Sequence, residues 1–280
     1  MPDLIAGLKD LGRKPGEDIV IECPLTGKRY EGLAPAMSDL VKLPVDVLVS
    51  ESEPAGHIAR SVPQTVPNVT ILSGDPVGSG LAQSLAKPGG NLTGLTYYAT
   101  ELDGKRSELL KDMIPGISSV GVLANPDVSY LPFETDTRNA AKLLGIMLVV
   151  RQVQEPSALD GAIHQMKAEG AQAFFVLPDV MFASEAKHVA DGALAEQLPL
   201  MSCGAWFTEL GGLIAYPADY ASLIRRLALY VDRILKGAHP GDIPIEKVTR
   251  FELSLNLRMA RTIGVTSPPK LLMRTDKVIE

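Results

Sequence analysis

Apolar and polar positions alternate along this chain with two periods, one helical and one of strand type. Residues 3–11 place Leu4, Ile5, Leu8 and Leu11 on one helical face and stop at Gly12. Residues 18–22 (DIVIE) then read as a strand, 31–43 as a helix, 45–50 (VDVLVS) as a strand and 55–66 as a helix. The β-branched run 69–73 has the character of a buried parallel strand, and Gly74, Asp75 and Pro76 end it. A short helix over 76–86 is closed by Pro88, Gly89, Gly90 and Asn91, and 92–98 reads as the next strand.

The same rhythm returns in the second half. Strands are expected at 119–125, 147–153, 173–177 and 200–203, with helices at 133–144, 157–169 and 182–197 between them. Strict alternation of strand and helix is the mark of a parallel α/β sheet. Matching the halves (DLVKLPVDVLVS against QMKAEGAQAFFVLP) predicts two similar Rossmann-like lobes, although parallel α/β units resemble one another whatever their ancestry. Beyond Gly211 and Gly212 come a strand at 213–216, a strong helix at 220–235, a strand at 251–256, a short helix at 257–263 and a Pro-rich tail. The second lobe opens on a strand and the first opens on a helix. The comparison therefore predicts that a first strand of the N-terminal lobe is missing, and with it an in-frame start upstream of Met1.

Length and composition narrow the class. A chain of 280 residues, 46% hydrophobic and 21% charged, favours two ordinary lobes over one core, and no apolar run reaches 18 residues. The net charge of -6, without a dense Lys/Arg cluster, argues against a nucleic-acid partner and for a small-molecule ligand. Cys23 and Cys203 lie far apart, outside any C-x-x-C spacing, and are expected to be free thiols.

In open parallel sheets ligands sit beyond the carboxyl ends of strands, which draws attention to the loops there. The run GDPVGSG at 74–80 lacks both the phosphate-loop pattern and the third glycine of a dinucleotide fingerprint. It is either a ligand-facing loop carrying Asp75 or a tight turn that needs glycines. Asn125-Pro126-Asp127 and Leu177-Pro178-Asp179 end strands of the second lobe; Asp179 could hold an ammonium group or cap the following helix. Ser50 and Ser52 could offer hydroxyls to a carboxylate, and Ser52 could equally be a cap. Tyr130, Phe133, Phe182, Trp206 and Tyr216 recur near strand ends, which favours a partly apolar pocket. His57, His164, His188 and His239 show no metal-ligand spacing and no serine sits in a G-x-S-x-G elbow, so neither metal, cofactor nor nucleophilic catalysis is expected.

Taken together, segments spanning nearly the whole chain, among them GDPVGSGLAQSLAKPGGNLTGLTY, GKRSELLKDMIPG, VGVLANPD, GGLIAYPADY and YVDRILKGAHPGDIPIE, carry a resemblance. The chain resembles the substrate-binding proteins of bacterial ABC transporters, in the subgroup related to binders of tryptophan and other aromatic amino acids. The resemblance implies a type I periplasmic-binding fold, with an N-terminal lobe of 1–98 plus 219–241 and a C-terminal lobe of 104–216 plus 250–280. Three crossovers, near 98–104, 216–219 and 241–250, would join them as a hinge that closes on ligand in an inter-lobe cleft. It implies an extracytoplasmic, periplasmic protein with an export signal that this chain does not carry, working as a monomer with an ABC transporter permease on an amino acid or related carboxylate. The implied ligand-binding set is Ser50, Ser52, Asp75, Asn125, Ser129, Tyr130, Asp179, Gly204 and Tyr216. A ligand-sensing module of a regulator and a two-lobed α/β enzyme are the alternative readings.

Overall fold

The computed structural model describes residues 1–23, 32–60, 65–97, 100–126 and 131–280. In chain order the elements are α1 (Pro2–Asp10), α2 (Leu33–Leu40), β1 (Leu48–Glu51), α3 (Glu53–Ala59), β2 (Asn68–Leu72) and β3 (Leu92–Thr96). Then follow α4 (Thr100–Met113), β4 (Ser119–Ala124), α5 (Leu131–Leu144), β5 (Met147–Gln152), α6 (Leu159–Ala168), β6 (Ala173–Val176), α7 (Val180–Ser184), α8 (Ala186–Ala195), β7 (Leu200–Ser202), α9 (Ala205–Glu209) and β8 (Ile214–Ala215). The last are α10 (Tyr220–Leu235), β9 (Glu246–Lys247), β10 (Ser254–Asn256), α11 (Leu257–Thr262), α12 (Pro269–Leu272) and β11 (Lys277–Ile279). The chain forms two compact units: unit 1 is Met1–Tyr98 with Asp219–Thr249, and unit 2 is Ala99–Ala218 with Arg250–Glu280.

Unit 1 holds a parallel sheet of four strands in the order β1-β2-β3-β9. Every residue of β2 and β3 is buried, as a strand covered on both faces requires. α1 buries Leu4 and Leu8 and packs along α10, whose own apolar stripe contains Leu223, Leu227, Val231 and Ile234. The pairing is reinforced at its end by Asp232, which is 6% exposed and accepts hydrogen bonds from Arg13 at 2.9 Å and Lys236 at 2.7 Å. The hydrogen bond from Lys236 is the main cause that lowers the Asp232 carboxyl below the usual range; burial opposes it and Arg13 adds to it. A lowered folded value means stability that is present above the unfolded carboxylate pKa of about 4 and is lost as pH falls through the folded one. Asp232→Asn is therefore expected to cost about 1 kcal/mol at neutral pH, since both cationic partners keep access to water. In thermal melts the gap between variant and parent should close below about pH 4; a gap that does not change with pH would refute the role given to the carboxylate.

Unit 2 holds a seven-stranded sheet in the order β11-β10-β8-β7-β6-β4-β5, parallel except where β8 meets β10. Its largest core joins Leu159, Ile163 and Met166 of α6 with Phe174, Phe182, Val189 and Leu200. Among the described residues no helix is long and apolar enough to cross a membrane.

Several sequence expectations need correction. Residues 18–22 form no strand: Ile19 makes only an isolated bridge to Pro15 and Val20 is 81% exposed. The alternation is there, but a strand needs a neighbour. In unit 2 the outer strand β5 lies against β4, whereas the unit 1 sheet ends at β1 among the described residues. The helix expected over 76–86 is a chain of turns, with Ser79 N–H bonded to the Asp75 carbonyl and Gly80 N–H to that of Val77. Gly80 sits at φ +73°, which ends any right-handed helix there. The helix expected over 182–197 is split into α7 and α8, because the Ser184 hydroxyl bonds back to the Met181 carbonyl and loosens the turn. The tail adds the helix α12 and the strand β11, which pairs in parallel with β10.

Candidate functional site

Strand order decides which predicted residues meet. In unit 2, β8, β7, β6 and β4 lie side by side, and their carboxyl ends deliver Tyr216, Gly204, Asp179 and Asn125 in that order to one sheet edge. Asp179 and Asn125 touch: Asn125 Nδ2 donates to Asp179 Oδ2 at 3.2 Å, and both residues are buried. The other carboxylate oxygen, Oδ1, accepts the N–H groups of Met181 at 2.7 Å and Phe182 at 3.2 Å, so Asp179 caps α7. Gly204 precedes α9, and the Ser202 hydroxyl donates to its carbonyl at 3.0 Å.

Tyr216 is fixed from two sides. Its ring lies 5.7 Å from that of Phe251, and its carbonyl accepts both Nε and a terminal nitrogen of Arg106 at 3.3 Å. Arg106, 3% exposed, stands with its guanidinium 5.8 Å from the Phe175 ring centroid, a cation–π position. Sequence reading passed over Arg106, because it falls in a helix, α4, with nothing in its spacing to mark it as buried.

In unit 1 the equivalent edge is formed by the ends of β1, β2 and β3. The Ser50 hydroxyl is directed inward and donates to Asn68 Oδ1 at 3.0 Å. Ser52 caps α3 by accepting the Ala55 N–H at 3.4 Å, and it does so at φ +95°, a region that residues other than glycine seldom occupy. Asp75 Oδ1 accepts the Val77 N–H at 3.0 Å, an Asx turn that shapes the loop after β2. Ser129 and Tyr130 lie outside the described residues.

Three further residues lie at this same edge. Glu51 is the exposed last residue of β1, Tyr97 follows β3, and Tyr220 opens α10. Burial first, then the charge of Glu51 and the neighbouring Tyr97, push the Tyr220 phenol far above its ordinary range. It therefore stays protonated. Nothing in the alternation of apolar residues could have found the cluster, since its members come from sequence positions far apart.

Among the described residues no group of three or more His, Cys, Asp or Glu side chains is placed to hold a metal ion, and Cys23 and Cys203 are free thiols. What the two edges offer is carboxylates, amide and hydroxyl groups and aromatic rings at strand ends, a chemistry suited to holding a small polar molecule.

The sequence matches a family described as ABC transporter substrate binding protein over residues 3–279. A curated relative, the tyrosine-binding protein of Clostridioides difficile, is 25% identical over 253 residues, covering 90% of this chain and 72% of the relative. Two solved structures are similar over 99% of this chain and 93% of theirs. One is a conserved domain protein from Vibrio cholerae (25% identity, TM-score 0.93), and the other an ABC domain in complex with L-Trp from Streptococcus pneumoniae (23% identity, TM-score 0.91). The fold so matched is that of type I periplasmic-binding proteins.

Proposed function

Because the chain belongs to the ABC transporter substrate-binding protein family, we propose that it captures a free amino acid and delivers it to the permease of an ABC uptake transporter. The observation that carries this reading is the family match, which runs through both units. Support for an amino acid, and for an aromatic one first, comes from the tyrosine-binding relative and from the neighbour solved with L-Trp. The two strand-end rows agree with it in kind, since an amino acid needs acceptors for its ammonium, donors for its carboxylate and apolar surface for its side chain. In this reading the protein works outside the cytoplasm as a monomer, binds no nucleic acid and leaves its ligand chemically unchanged. The residues proposed to line the site are Asn125, Asp179, Gly204 and Tyr216 of unit 2, Ser50, Ser52 and Asp75 of unit 1, and Ser129 and Tyr130.

A thermal-shift screen against the twenty amino acids tests it. A ligand at 100 times its Kd stabilises by about 2.7 kcal/mol, which raises Tm by a few degrees. L-tyrosine or L-tryptophan is expected to give the largest shift, and chromatography should return the compound intact. If no amino acid moves Tm, the reading fails; if the compound is recovered altered, an enzyme is favoured instead.

A further inference from the structure

We propose that the indole of Trp206 is the aromatic wall of the unit 2 edge, against which the side-chain ring of the bound amino acid stacks. The inference rests on the amino-acid reading above and deepens it, by naming the residue that selects an aromatic side chain.

Gly204 is a glycine that its backbone does not require. It follows β7 at φ -120° and ψ 126°, an extended conformation open to any residue. It is also the N-cap of α9, where Ser, Thr, Asn or Asp would bond the first turn through a side chain, and α9 has no such bond. What Gly204 provides is room. A Cβ built there would lie 2.6 Å from Cζ2 of Trp206, 2.7 Å from Cε2 and 2.8 Å from Cη2. Those three atoms belong to the six-membered ring of the indole, which therefore lies directly over the Gly204 backbone and leaves no space for a capping side chain.

The core does not need this ring. In α9 the core contact is made by Phe207, 2% exposed, whose ring centroid stands 6.1 Å from that of Trp206 with the planes tilted by 30°. Backed by Gly204 and Phe207, the indole is still 41% exposed and offers apolar area that a ligand ring can cover. It stands on the helix that follows β7, and β7 lies between β6, which delivers Asp179, and β8, which delivers Tyr216. Adjacent strands thus bring polar groups and an open aromatic ring to one edge. A pair of aromatic rings gains affinity beyond the area it buries, which an aliphatic side chain does not. A ring already fixed by its neighbours also loses little freedom when a ligand covers it. Gly204 then serves the site by admitting the ring.

Trp206 is the one tryptophan of the chain, so its emission reports on this edge alone. Titration with L-tyrosine, exciting only the tryptophan, is expected to change that emission along the saturation curve that calorimetry gives. Unchanged emission at calorimetric saturation would overturn the contact. In calorimetric titrations with L-tyrosine and with L-tryptophan, Trp206→Ala should weaken the tighter of the two by about 10-fold, and Trp206→Phe, which keeps a ring, by less. Gly204→Ala pushes the ring aside and should weaken binding to a similar extent. In the Trp206→Ala background the same methyl meets no ring, so there it should cost nothing further. Circular dichroism checks that the variants keep the parent's fold. If Trp206→Ala binds as the parent does, or if Gly204→Ala weakens binding equally with and without Trp206, the assignment is overturned while the amino-acid reading stands. If the parent binds neither L-tyrosine nor L-tryptophan, the assignment falls, and the other amino acids of the thermal-shift screen decide the wider reading.

Discussion

Replacing Gly94 by alanine is expected to unfold unit 1 while leaving unit 2 intact. Gly94 lies in the middle of β3 at φ +142°, paired in register with Thr70 of β2. A methyl group built there would sit 2.0 Å from the Thr70 carbonyl oxygen and 2.7 Å from its nitrogen. Both are backbone atoms of a buried neighbouring strand, so no rotamer change can relieve the overlap. The strands would have to separate, and β3 carries Leu92 and Leu95 into the core and holds β9 on its other side. A cost of about 5 kcal/mol or more belongs to this kind of substitution, comparable with the whole stability of many domains, roughly 5–15 kcal/mol. Limited proteolysis read by mass spectrometry would show it: cuts should spread through 1–98 and 219–249, with unit 2 protected. Unchanged protection of β2 and β3 would mean that the sheet adapts in a way this geometry does not allow.

The second large effect is expected at Asp179. One carboxylate there satisfies three buried donors, the N–H groups of Met181 and Phe182 and the side-chain amide of Asn125. Asp179→Ala removes a helix cap and one acceptor of the Asn125 amide at the same time. The sum is about 2–4 kcal/mol of unit 2 stability. Asp179→Asn keeps an oxygen for the cap, so it should recover most of that stability, and the difference between the two variants isolates the cap. Urea unfolding of both variants, followed by far-ultraviolet circular dichroism, decides the matter. Equal loss in the two would mean that the charge, not the cap, is what unit 2 needs. Calorimetry on Asp179→Asn then asks separately whether the residue also touches ligand.

Elements fixed by local pattern were legible from the sequence, and those fixed by neighbours were not. The α10 helix was read at 220–235, the bounds it has, because its apolar stripe is continuous and Asp219 caps it. The strands β4, β5 and β6 were read to within a residue, since their β-branched and apolar runs are bounded by polar ends. Residues 18–22 misled because alternation specifies a face and not a partner. The helix expected over 76–86 misled because apolar spacing outweighed Gly78 and Gly80. The β9 and β11 strands, of two and three residues, are too short to leave a period at all and exist because β3 and β10 offer them an edge. The site divides in the same way. Asn125, Asp179, Gly204 and Tyr216 could be chosen as residues that follow strands. Arg106 under the Tyr216 carbonyl depends on a contact between residues more than 100 positions apart, which no local window contains.

The packing of α1 against α10 has a consequence in time. Unit 1 is assembled from two stretches of chain with residues 99–218 of unit 2 between them. During synthesis at about 5–20 residues per second, α1 leaves the ribosome roughly 10–40 s before its partner helix exists. Through that interval Leu4 and Leu8 have no α10 to cover them, and Arg13 has no Asp232 to bind. The five parallel strands β4 to β8 of unit 2, by contrast, lie in one contiguous stretch of chain, so that core waits for no later segment. The arrival of α10, late in synthesis, is what lets α1 bury Leu4 and Leu8 and complete the packing of unit 1.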